Sequence, residues 1–133
     1  MEAANKYLEM AVSTAPPERL LLMLYDGAIN FLSRAVEAIE ARDFAEANRL
    51  IIRVEEIVTE LKNSLDPQYE ISQHLDRLYD YFLSRLFAAN VAKDTEVLQE
   101  VQKHLRELRD TWAEVISRGA NAGSTPPSRG LEV

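Results

Sequence analysis

Residues 20–32 read LLLMLYDGAINFL, and nine of the thirteen are large and apolar. Wound into a helix, Leu20, Leu21, Leu22, Met23, Leu24 and Tyr25 go most of the way round a turn and a half, wider than the stripe of roughly 100° that a surface helix carries. A helix this apolar must be covered on several sides. Its cover is either the rest of the chain or a partner, and that choice is the main functional question the sequence poses.

The 133 residues, 47% hydrophobic and 28% charged, suit a single globular domain with one core. There is no cysteine, so disulfides, thiolate chemistry and cysteine-ligated zinc are out of reach. The longest apolar run, residues 20–25, is far short of the roughly 20 residues of a membrane span, and the N-terminus has neither the basic start nor the apolar core of a signal peptide. The expectation is a cytoplasmic protein with no membrane insertion. A net charge of −7 repels phosphates, which argues against nucleic acid and anionic membranes as partners. The nearest approach to a basic patch, Lys103, Arg106 and Arg109, alternates with Glu100, Glu107 and Asp110. That pattern is a solvated helix face with salt pairs.

Residues 1–15 hold Tyr7, Leu8, Met10 and Val12 among small and polar neighbours, too short a stretch to be a stable helix alone. Pro16 and Pro17 interrupt it, and Pro17 with Glu18 makes a good first turn for a helix over 17–41. Leu21, Leu24, Ala28, Phe31 or Leu32, Ala35 and Ile39 form its core line, and Gly27 inside it suggests close helix contact. Asp43 and Glu46 have the spacing of a capping box. The second helix follows, with Phe44, Ala47, Leu50, Ile51, Val54, Ile57, Val58, Leu61 and Leu65 recurring at three and four, until Asp66 and Pro67 stop it. In the third, Ile71, Leu75, Leu78, Phe82, Leu86 and Ala89 make one stripe, and Tyr79, Leu83 and Phe87 a second beside it. Asp94 caps the fourth, whose apolar side is Leu98, Val101, Leu105, Leu108, Trp112 and Val115. From Gly119 the segment GANAGSTPPSRGLEV has the composition of a disordered tail. Helices joined by short connections pack as antiparallel neighbours. The chain is therefore expected to be all-α, an antiparallel up-down-up-down four-helix bundle over 17–118 with a short N-terminal arm over 1–16 and a disordered C-terminal tail over 119–133.

Little in this pattern supports catalysis. His74 and His104 follow Glu70 and Glu100 by four residues, not the three of a di-metal Glu-x-x-His site, and fall beside the core line. No Gly-x-Ser-x-Gly turn or Gly-rich phosphate loop is present. The sequence calls for no cofactor, no metal site and no enzyme. Asp26, Asp80 and Asn90, set among apolar neighbours, read as interhelical hydrogen bonds or caps. What the core does not need is a surplus of apolar residues: Leu22, Met23 and Ile29, then Leu50 and Ile57, then Tyr79, Leu83 and Phe87. The pattern leaves two readings open, a generously filled core or a hydrophobic groove for an amphipathic segment of another protein. Homodimer interfaces share the same surplus.

Four blocks then carry a resemblance: TAPPERLLLMLYDGAINFL from Thr14, SLDPQYEIS from Ser64, LYDYFLSRLFAAN from Leu78 and VLQEVQKHLRELRDTW from Val97. Together they resemble the FliS family of flagellin export chaperones over residues 7–116. The resemblance implies a cytoplasmic type III export chaperone that binds the disordered C-terminal segment of flagellin in hydrophobic grooves, prevents premature polymerisation and delivers it to the export gate. On this sequence it points to Leu50, Ile57, Tyr79, Leu83 and Phe87 as the groove. It also implies that an arm holding Tyr7, Leu8 and Met10 covers part of the groove and, once displaced, helps docking on the cytoplasmic domain of the gate protein FlhA. A co-chaperone or regulator is compatible with that role and is not identified by any residue. The family commonly has a serine before the first helix, where this chain has Pro16. The alternative is a self-assembling helical-bundle interaction module.

Overall fold

The computed structural model describes residues 17–122, and it holds four helices: α1 (Pro17–Glu40), α2 (Phe44–Asn63), α3 (Glu70–Ala92) and α4 (Thr95–Ala122). Packing runs round the ring from α1 to α2, α3 and α4 and closes back on α1. Cross-helix contacts give the direction of every seam. Between α1 and α2, Phe31 lies under Arg53 and Arg34 faces Glu46. Asn48 meets Asn90 and Lys62 meets Asp76 between α2 and α3, while Phe82 stacks on His104 and Arg85 reaches Glu100 between α3 and α4. Asp26 meets Arg109 and Ile29 meets Gln102 between α4 and α1. In each seam the numbering rises on one helix as it falls on the other. The bundle is antiparallel and up-down-up-down.

The helix ends follow from local chemistry. Arg42 sits in the left-handed region at φ 60°, and Arg42 N–H donates to Ile39 O while Asp43 N–H donates to Ala38 O, the two bonds of a Schellman stop. Lys93, at φ 54°, ends α3 the same way, with Asp94 N–H on Ala89 O. Asp43 Oδ1 accepts from Glu46 N–H at 3.2 Å. The reciprocal half of the expected capping box does not form, because Asp43 N–H is already spent in the Schellman stop and the Glu46 carboxylate is held by Arg49 at 2.6 and 2.9 Å. Asp94 Oδ1 caps α4 through Glu96 and Val97 N–H. α4 continues through Gly119 to Ala122, past the point where composition alone ends it. A helix already braced by its neighbour carries a few poor helix formers that would not nucleate one.

The core is one cluster drawn from all four helices, with Tyr25, Leu32, Leu50, Ile51, Phe82, Leu86, Leu98 and Leu105 among its fully buried members. On α1 the buried line is Leu21, Tyr25, Ala28, Leu32 and Ala35, so Tyr25 and Leu32 are inside where Leu24 and Phe31 are half-buried. Gly27 is not a site of forced approach. A Cβ there would lie 3.6 Å from Ile57 Cδ1, ordinary van der Waals contact.

Candidate functional site

α2 and α3 are tied together at both ends of their seam. At one end Asn90 Nδ2 donates to Asn48 Oδ1 at 2.8 Å, and Lys93 Nζ fixes Asn90 by donating to its backbone O at 2.6 Å and its Oδ1 at 2.8 Å. At the other, Lys62 Nζ lies 3.1 Å from Asp76 and 3.5 Å from Asp80. The Asp76 hydrogen bond, with both aspartate charges, raises the Lys62 amine above its ordinary range.

Between and just beyond these ties the outer edge of the seam is apolar. Phe44 and Ile52 on α2 are each 41% exposed, while on α3 Phe87 is 66% and Val91 73% exposed, with Leu83 half-buried beside them. Leu83, Phe87 and Val91 are four residues apart and form one stripe. Each stands one residue, about 100° of helix, on from a residue of the line Phe82, Leu86 and Asn90, so the core covers Leu83 only in part and leaves Phe87 and Val91 largely exposed. Of the five strongly exposed large apolar side chains among the described residues, four belong to this edge. The fifth, Tyr81, belongs to the α3–α4 side, where its hydroxyl donates to Glu100 Oε2 at 3.3 Å. The result is an apolar track along α2 and α3 without a cover among the described residues.

The residues expected to line a groove divide three ways. Leu50, 1% exposed, and Tyr79, 2% exposed, are core residues and present no surface. Ile57 is partly buried in the α1–α2 seam, beside Gly27. Only Leu83 and Phe87 lie on the track. The reason is angular: on α3 the stripe of Tyr79, Leu83 and Phe87 rotates from the core toward solvent along its length, and burial separates what spacing groups together. Sequence reading missed Ile52 and Val91 and placed Phe44 in the core. The signal for them was apolar residues just off the core line, Ile52 next to Ile51 and Val91 two on from Ala89. Tyr7, Leu8 and Met10 lie outside the described residues, as does the stretch before Pro17 where the family serine is replaced.

Behind the track, a polar network fixes the bundle interior. Trp112 Nε1 donates to the Tyr25 hydroxyl at 3.2 Å, and the Tyr25 and Tyr79 hydroxyls are 2.5 Å apart, joining α4, α1 and α3. Burial raises both phenols above their usual range, so they stay neutral. Gln102, also buried, donates Nε2 to Ile29 O at 2.9 Å and Ser33 Oγ at 2.6 Å. Asp26, Asp80 and Asn90 each make an interhelical contact, to Arg109, Lys62 and Asn48. Among the described residues no group of three acidic or histidine side chains converges as metal ligands would, and no helix is long and apolar enough to cross a membrane.

The family described as "Flagellar protein FliS" matches residues 1–119. The chain belongs to the FliS family. It is 37% identical over 110 residues to the flagellar secretion chaperone FliS of Bacillus subtilis, covering 83% of each chain. It is 36% identical over 118 residues to the flagellar secretion chaperone FliSB of Pseudomonas aeruginosa, covering 84% of this chain and 94% of that one. With the flagellar secretion chaperone FliS of Salmonella typhimurium it shares 33% over 120 residues, 88% and 89% of the two chains. FliS proteins are flagellar secretion chaperones, a class defined by binding rather than catalysis. An apolar track on a rigid bundle is a surface suited to such work.

Proposed function

We propose that this chain binds the C-terminal segment of flagellin in the cytoplasm, prevents its premature polymerisation and delivers it to the export gate through the cytoplasmic domain of FlhA. The observation that carries the reading is the α2–α3 track, with Phe87 and Val91 standing largely in solvent. Exposing such apolar side chains costs the free chain apolar hydration, at about 25 cal/mol per Å². A disordered segment that folds on its partner needs a long apolar surface to offset its own ordering entropy. An amphipathic helix laid along the track would place residues at i, i+3 or i+4, and i+7 against Ile52, Leu83, Phe87 and Val91. The arm holding Tyr7, Leu8 and Met10 competes for that surface in the free protein and is released for gate docking when flagellin displaces it.

Titration calorimetry of the full chain with a peptide of the flagellin C-terminal segment from the same organism tests this. Binding with a strongly negative heat-capacity change is expected, and a chain beginning at Pro17 binds more tightly than the full one. Absence of binding by the folded protein, together with a stable homo-oligomer in sedimentation, sinks the reading in favour of a self-assembling bundle.

A further inference from the structure

The two polar ties of the α2–α3 seam lie about four helical turns apart. Asn48 on α2 pairs with Asn90 on α3, and Lys62 pairs with Asp76. Midway between them, two turns from each tie, the same register sets Glu55 opposite Leu83. The outer rungs are matched polar pairs. The central one puts a carboxylate against a leucine.

Among the described residues no neighbouring cation compensates Glu55. Its neighbours one turn away on α2 are Ile51, Ile52, Val58 and Thr59, none of them charged. One turn from Leu83 on α3 are Tyr79, Asp80, Leu86 and Phe87, and the only charge there, Asp80, is a second carboxylate already facing Lys62. Among the described residues no ion pair or hydrogen bond reaches the Glu55 side chain. Partial burial raises its pKa above the usual carboxylate range. The charge is a cost to the folded chain, set against Leu83 at one end of the track, about one helical turn from Ile52 and Phe87.

We propose that Glu55 is the specificity-determining residue of the track, receiving a lysine or arginine side chain of the docked segment. The inference rests on the reading of the track as the flagellin surface. A docked helix removes water from the seam, and a basic side chain beside its apolar stripe then makes a charge-assisted hydrogen bond to an acid that no described residue pairs. A chain of net charge −7 also draws a basic segment toward it. An apolar peptide without that cation would leave Glu55 buried and alone, so the residue discriminates by penalty as well as by attraction.

The test is a double-mutant cycle by titration calorimetry on the full chain, using the flagellin C-terminal peptide and a version with every Lys and Arg changed to Gln. Glu55→Gln is expected to weaken binding of the native peptide about tenfold. The neutralised peptide should bind the wild type correspondingly more weakly, with the penalty much reduced against Glu55→Gln. Thermal melts confirm that the variant is folded. If Glu55→Gln binds as the wild type does, or if the two losses simply add, the role of Glu55 is overturned. Phe87→Ser separates the two levels of the claim. Binding lost with Phe87→Ser but kept with Glu55→Gln leaves the track and removes Glu55 from it; binding kept with Phe87→Ser removes the track itself.

Discussion

Glu55 and Tyr25 set opposite tasks within the same bundle. The Glu55 pKa is raised in the folded chain by partial burial, so the folded state holds the proton more firmly than the unfolded one and the charged form weakens the fold. Glu55→Gln is accordingly expected to raise the melting temperature at pH 7, with the gain fading as pH falls through the folded pKa and gone below the unfolded one. Melts from pH 7 to pH 3.5 check this, and a gain that persists at the acid end contradicts it. A residue that weakens the fold while strengthening binding is the usual trade at a functional surface. Tyr25 works only inward. Tyr25→Phe removes an oxygen that Trp112 and Tyr79 both address, leaving two buried polar groups short of a partner. We expect a loss of about 1–3 kcal/mol in urea unfolding. Gly27→Ala should do the reverse, gaining up to about 1 kcal/mol from helix propensity, because its methyl meets only Ile57 Cδ1 at van der Waals distance.

Among the elements, the turns between helices carry both strain and precision. Arg42 ends α1 in a left-handed conformation that costs a non-glycine residue about 1 kcal/mol. Its guanidinium lies 5.5 Å from the Phe44 ring, a contact worth about 0.5 kcal/mol on an exposed surface. Arg42→Gly trades the second for relief of the first and is expected to be neutral to slightly stabilising, a result that equilibrium denaturation reads directly. Asp94 differs, since its carboxylate accepts two backbone N–H groups at the start of α4. Asp94→Ala should lose about 1 kcal/mol. α3 is the element in which stability and function divide. Phe82 and Leu86 face inward, while Leu83 and Phe87, one residue on, face the track.

At the scale of the molecule, that division makes surface and core separable by experiment. Leu50→Ala should cost about 2–5 kcal/mol of stability, since the side chain is fully enclosed. Phe87→Ser should leave the melting temperature nearly unchanged while removing peptide binding, and a large fall in stability would place Phe87 in the core after all. The sequence by itself determined the helices, their order and their caps at Asp43 and Asp94, because helical periodicity and capping are properties of neighbours along the chain. It also determined the family, through the blocks beginning at Thr14, Ser64, Leu78 and Val97. It could not divide Leu50 and Tyr79 from Leu83 and Phe87, since all four are apolar and at helical spacing, and spacing gives a face but not what lies against it. Nor could it pair Glu55 with Leu83, which are far apart in the chain. Which apolar residues the bundle covers depends on how α2 and α3 are rotated against each other as their buried faces pack into the shared core, a rotation the Asn48–Asn90 and Lys62–Asp76 ties accompany. The tertiary structure alone decided where the core ends and the track begins.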